Sequence, residues 1–221
     1  MTSGRMIDKK EKISEGSNMP IDFERWAEEY ERNYRENNVS IQYRDNNGKI
    51  ANETSPYFKL ISQVLRERGL LLKEEFISIC EWKTRRQRNR YQKNSEEDIR
   101  RITTTVISIH PNIKEQIHNL TQLNGVGVPV ASAVLTVIFP ENYCVLDYRA
   151  WRALLWVMSE PFSFNDYTEF SEIMDNFRNY ASMDSYIHYL ERIRTLAEQN
   201  HTIPRKIEMA LWMYDKKREI L

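Results

Sequence analysis

Cysteine is scarce: Cys80 and Cys144 are the only two in 221 residues, and both sit in apolar runs, FISIC and NYCVL. Two thiols cannot by themselves supply a four-thiolate zinc or iron–sulfur site, so they read as buried free thiols. The four histidines form no H-x-x-x-H pair, and no transition-metal site is expected. No run approaches the ~20 apolar residues that a membrane helix needs. The opening stretch MTSGRMIDKKEKISEGSN lacks the apolar core of a signal peptide; residues 1–19 read as a disordered polar tail, and the expected compartment is the cytoplasm. Charge of one sign is missing as well. With 32 basic and 32 acidic residues the formal net charge is zero, whereas a dedicated nucleic-acid coat would be basic.

What the chain does have is a segregated charge pattern and ample core material. Hydrophobic residues make up 41% and charged residues 29%, a globular profile. Lys83 to Lys93 reads KTRRQRNRYQK, six basic residues without an acid, while acids gather in 24–36 and 160–175. Such a patch suits phosphates, although a solvated helix face has the same composition. Phe23, Trp26, Tyr30 and Tyr34 recur at helical spacing. Residues 37–54 read as loop with a hairpin candidate at Asn47-Gly48, and Ser55-Pro56 reads as a cap and first turn leading into Phe58, Ile61, Val64 and Leu65. Further helices are expected from Lys73 to about Arg85, from Ser95, from Pro111, over 128–139, 147–158, 164–181, 183–198 and 204–216. The expected fold is all-α, with residues 20–221 forming a single helical domain that has room for two lobes.

The most informative stretch is L-T-Q-L-N-G-V-G-V-P-V-A-S-A, Leu120 to Ala133. One helix ends near Leu123, Asn124 and Gly125 tolerate positive φ, Gly127 permits close backbone approach, and the next helix begins at once. The unpaired N–H groups of that helix start then point out of the turn and make a seat for a phosphate. Pro129 fits the first helical turn but removes one donor, so docking falls to the amides around Val126 to Val128.

Together with V-L-D-Y-R-A-W-R-A-L further on, this segment resembles the helix-hairpin-helix DNA glycosylase superfamily, whose members carry L-P-G-V-G-x-K-x-A followed by an Asp at the head of a later helix. The match covers residues 120–156, with the hairpin element at about 112–139. The resemblance implies a two-lobed helical fold, double-stranded DNA as partner, no membrane and no obligate protein partner. It also implies release of a damaged or mismatched base in base excision repair. Asp147, eighteen residues after Pro129, falls at the catalytic Asp, while Pro129 itself stands where bifunctional members carry a Schiff-base Lys. The usual lyase route is therefore closed. No iron–sulfur cluster is implied; a monovalent cation, Na+ or K+, at the hairpin is compatible with similar proteins.

An ionised carboxylate near C1′ stabilises the positive charge that builds on the sugar, or deprotonates water. That chemistry suits Asp147, which is also a good N-cap for the helix from Tyr148. Lys83 continues an apolar helical stripe, where a charge needs a partner or a cleft; it is a second catalytic candidate, pairing with Asp147, binding a phosphate or serving as a displaced amine nucleophile, or else a snorkelling side chain. Trp82, Tyr143, Tyr148 and Trp151 are candidates for stacking on a flipped base, each also an ordinary core residue. The DNA contacts expected are Asn124, Gly125, Val126, Gly127, Val128, Arg85, Arg86 and Arg149. The competing readings are a DNA-binding module without chemistry and a helical scaffold or protein-binding adaptor with no nucleic-acid role.

Overall fold

The computed structural model describes residues 21–158 and 181–218, which are helical apart from one β-hairpin. Helix α1 (Phe23–Glu36) is capped by Asp22, whose carboxylate accepts from the Arg25 N–H at 3.0 Å. Strands β1 (Ile41–Arg44) and β2 (Ile50–Glu53) pair antiparallel, Ile41 opposite Glu53. Asp45 holds their turn by accepting from the Asn47 and Lys49 N–H groups, with Gly48 at φ +75°. The hairpin signal at Asn47-Gly48 thus becomes a small sheet inside an otherwise helical domain. Ile41 and Tyr43 bury one face. The outer amides of β1 do not go unmet, since Gln42 N–H donates to the Ser78 hydroxyl and Arg44 N–H to the Glu75 carboxylate, both on the helix spanning Lys73–Lys83.

Helix α2 (Lys59–Arg68) does not begin at Ser55-Pro56 as expected. Phe58 precedes it in a left-handed conformation, and its cap comes from the strand: the buried Glu53 carboxylate accepts from Leu60 N–H at 2.9 Å, Ile61 N–H at 3.3 Å and Ser55 N–H at 3.0 Å. A carboxylate satisfying three amides outweighs a single serine hydroxyl. Gly69, at φ +73°, ends α2.

Helix α3 (Lys73–Lys83) buries Phe76, Ile79 and Cys80 and stops at Thr84, whose extended backbone turns the chain into a short 3-10 turn (Arg85–Gln87) and helix α4 (Arg88–Tyr91). Helices α5 (Glu96–Ser108), capped by Ser95, and α6 (Ile113–Leu120), capped by Asn112, lead to α7 (Val128–Ile138). Helix α8 is Tyr148–Met158; α9 (Met183–Gln199) is capped by Ser182, and α10 is Pro204–Arg218. The helix expected over 164–181 lies mostly outside the described residues.

Two helices organise the packing. Helix α7, buried from Val130 to Ile138, is surrounded by α2, α3 and α6, and its small residues Ala131, Ser132 and Ala133 allow that closeness. Helix α10 packs against α1, α8 and α9. The end of α3 and the head of α8 meet between these two groups. No described helix is long and apolar enough to cross a membrane.

Candidate active site

Helices α6 and α7 are joined by the glycine-containing turn. Gly125 has φ +85°, and a Cβ there would lie 2.9 Å from Arg90 Cβ and from the Tyr91 ring, so α4 packs directly against this backbone. Only a glycine meets both demands. Asn124 is not left-handed; its N–H donates to Asn94 Oδ1 at 2.7 Å, and Asn94 returns a bond to the Asn124 carbonyl at 3.1 Å. Asn124 therefore fastens the turn to the end of α4. Gly127 has φ −97°, open to any residue, and a Cβ there would approach only Pro129, at 3.9 Å. The Val126 N–H is already given to the Leu123 carbonyl, and Val126 is buried. The expected set of docking amides thus narrows to Gly127 and Val128, which find no acceptor among the described residues.

Beside this turn runs a groove of about 780 Å³ whose walls include Arg86, Arg90, Gly125 and Gly127, and which also reaches Lys83 and Asp147. Arg85, Arg86, Arg90 and Lys93 are exposed and have no carboxylate within ion-pair distance among the described residues, whereas Arg88 is engaged by Glu81 at 2.9 Å. Arg149 is turned the other way. Its guanidinium donates to the buried Asp215 at 3.2 Å, next to the Arg152–Asp215 pair at 2.7 Å.

Asp147 stands at the head of α8. Its Oδ1 accepts from the Arg149 N–H at 3.0 Å, while Oδ2 accepts from Lys83 Nζ at 2.7 Å. Cap and ion pair are thus one side chain in two roles. The pair is partly covered, with side-chain exposures of 12% for Lys83 and 27% for Asp147. Burial pushes the Asp147 carboxyl upward, but the Lys83 ammonium and the Arg149 N–H outweigh it and hold the group below the usual carboxylate value. The segment before Asp147 is irregular yet pinned. Ser132 Oγ of α7 accepts from the Leu146 N–H at 2.8 Å and donates to the Pro129 carbonyl at 2.8 Å, and Tyr186 and Tyr189 donate to the carbonyls of Cys144 and Val145. The hairpin helix and the carboxylate are therefore linked through Ser132.

On its other side the Lys83–Asp147 pair borders a cavity of about 250 Å³ lined by Tyr30, Trp82, Trp212, Arg205 and Glu208 among others. Tyr30 and Trp212 meet edge-on at 5.4 Å. Arg205 is fully covered: it donates to the Pro56 carbonyl at 3.0 Å and to the Tyr30 hydroxyl at 3.2 Å, pairs with Glu208, and lies over the rings of Phe58 and Trp82. Burial, together with the negative charge of Asp147, pushes Glu208 up, with Arg205 and Lys83 opposing.

Of the aromatic candidates, Trp82 lines this cavity. Tyr143 does not: it is buried elsewhere, its hydroxyl donating to Gln116 and its ring beneath Arg194. Trp151 packs on Tyr189 at 5.3 Å, and Tyr148 lies under the Arg152 guanidinium. Neither lines the cavity. Sequence reasoning did not identify Tyr30, Arg205, Glu208 or Trp212 as site residues. The one available signal was the run of a charged and an aromatic residue at i and i+4 on α10. Cys80 and Cys144 are buried free thiols, and the described residues contain no cluster of three His, Cys, Asp or Glu that could hold a metal. Comparison with protein-family models, with curated proteins and with solved structures returned no match.

Proposed function

We propose that the chain is a DNA N-glycosylase of the helix-hairpin-helix kind, with the two-lobed helical architecture of that superfamily. The observation that carries this reading is the position of the Lys83–Asp147 pair, which borders both the groove beside the Gly125–Gly127 turn and the aromatic cavity. A duplex backbone would lie along the groove, with one phosphate on the Gly127 and Val128 amides and others on Arg86 and Arg90. A nucleotide turned out of the stack would put its base among Tyr30, Trp82 and Trp212 and its sugar beside Asp147. The cavity is small next to the ~300–1,000 Å³ of ordinary small-molecule sites, which suits a single base. A monovalent cation fits the hairpin in that the Thr121 and Val126 carbonyls accept no hydrogen bond among the described residues; bound there it would add positive charge near the phosphate.

In the hydrolytic route the C1′–N bond breaks, the base leaves with the electron pair, and positive charge spreads over the sugar. The Asp147 carboxylate stabilises that charge and takes the proton of the water whose oxygen bonds to C1′. The 2.7 Å contact also favours a second route. Lys83 gives a proton to Asp147 and its neutral amine attacks C1′ as the C1′–N bond breaks and the base leaves with the electron pair; the C1′–O4′ bond then opens, a proton passing from the nitrogen to O4′, and the imine so formed leads to strand cleavage by elimination. Pro129 offers no amine for that role.

The test uses duplexes carrying uracil, hypoxanthine, 8-oxoguanine, ethenoadenine or a mismatch, with and without alkali, and with borohydride to trap an imine. Base release by the wild type is expected, falling by about 10²–10⁴-fold in Asp147→Asn with duplex binding kept. Borohydride trapping lost in Lys83→Ala assigns the imine route; no trapping in the wild type assigns hydrolysis. Binding without release from any duplex would sink the enzyme reading in favour of a DNA-binding module.

A further inference from the structure

Glu208 has a feature that pairing with Arg205 does not explain. Its side chain is almost wholly buried, at 3% exposure, and lines the cavity. One carboxylate oxygen, Oε2, accepts from Arg205; the other, Oε1, has no donor among the described residues. That oxygen is not sealed inside the protein, unlike the unpartnered Tyr34 hydroxyl; it opens to the cavity, where a ligand's donor can reach it. Arg205 does not supply a second bond, because its other hydrogen bonds go to the Pro56 carbonyl and the Tyr30 hydroxyl. The cavity therefore presents, in its lining, an acceptor without a donor. The ring contacts around it, from Tyr30, Trp82 and Trp212, are flat and indifferent to which base lies among them. Charge does not discriminate either. Lys83 is matched by Asp147 and Arg205 by Glu208, so the lining carries no net charge that would draw a cationic, alkylated base.

We infer that Glu208 is the specificity-determining residue of this site, its Oε1 accepting a hydrogen bond from a ring N–H of the everted base. The inference rests on the glycosylase reading and names the substrate class within it: uncharged bases with a ring N–H beside a carbonyl, such as uracil, hypoxanthine and oxidised purines. A carboxylate accepts but does not donate, so a base without an N–H on that edge leaves Oε1 unsatisfied and adds its own desolvated acceptor to the loss.

The wild-type protein is given duplexes carrying uracil or hypoxanthine and the matched duplexes carrying 3-methyluracil or 1-methylhypoxanthine, and single-turnover release is measured. A site built around a substrate N–H rejects the analogue lacking it by roughly 10⁴-fold, so the methylated bases are expected to be released more slowly by that order. Glu208→Gln, which turns an amide N–H toward the base when its oxygen stays on Arg205, is expected to slow release of the parent bases while duplex binding is kept. The methylated substrates need no variant, so the test holds even if removing the Glu208 charge unfolds the chain around Arg205. Equal release of parent and methylated bases overturns this inference and leaves the glycosylase reading standing. So does release of ethenoadenine, which has no N–H, in preference to uracil and hypoxanthine. No release of any base overturns both.

Discussion

Lys83 and Asp147 are separated by sixty-four residues in sequence and by 2.7 Å in space. The consequence is electrostatic. Asp147 sits where burial alone would favour its neutral acid, and Lys83 with the Arg149 N–H reverses that preference. Because its folded value is depressed, the stability this group contributes is present above the ordinary carboxylate value of about 3.9 and is lost as pH falls through the lower folded one. Lys83→Met removes the main opposing influence, so burial dominates and the Asp147 titration moves up. The carboxyl carbon shift of Asp147, followed by NMR against pH, is expected to titrate above about 3.9 in the variant and below it in the wild type. Equal midpoints would mean that the ammonium does not hold the carboxylate ionised.

The α6–turn–α7 element contains two glycines with different jobs. Gly125 answers to the fold: positive φ and the Tyr91 ring at 2.9 Å leave no room for a methyl group. Gly125→Ala is expected to cost ~3 kcal/mol, the sum of a left-handed Ala and a displaced core ring, measured by urea unfolding. Gly127 answers to the groove. Its backbone is ordinary and nothing of the protein crowds it, so Gly127→Ala should stay within about 1 kcal/mol of the wild type. The added methyl would stand between a phosphate and the free amides, and duplex affinity should fall about tenfold or more, as loss of a hydrogen bond to a charged group implies. If both variants lose stability and binding together, the division of labour is wrong.

Across the whole molecule the net charge is zero, so any affinity for DNA must come from segregation. Arg86 and Arg90 line the groove, Arg85 and Lys93 lie in the same basic run, and none of the four has a carboxylate within ion-pair distance among the described residues; each phosphate they neutralise releases counterions. With about four such contacts, log K against log salt should run with a slope of about −3 to −4, measured by fluorescence anisotropy on duplex DNA. A flat salt response would remove the groove from the DNA-binding account.

Local features were legible in the sequence because their causes are local. Asp22, Ser95 and Ser182 each cap a helix through an amide three residues ahead, and the turn at Gly125 shows in the residues that flank it. The charged Lys83 on an apolar stripe signalled that it needed a partner or a cleft, with Asp147 among the candidates, and the structure pairs the two. The cap on α2 went to Glu53 rather than Ser55, since a carboxylate carried across by the β-hairpin satisfies more amides than the nearer hydroxyl. Aromatic residues near Asp147 in sequence, Tyr143 and Trp151, turned out to be core, because the pinned segment and α8 direct them inward. Only the tertiary structure assembled the cavity. Tyr30 and Arg205, 175 residues apart, touch because α1 and α10 pack together. The sequence by itself determined most of the described helices and the turn of the hairpin, and it marked Lys83 as a charge in need of a partner. Which side chains surround them was decided by helix packing, since a burial partner can come from any part of the chain and leaves no local pattern to read.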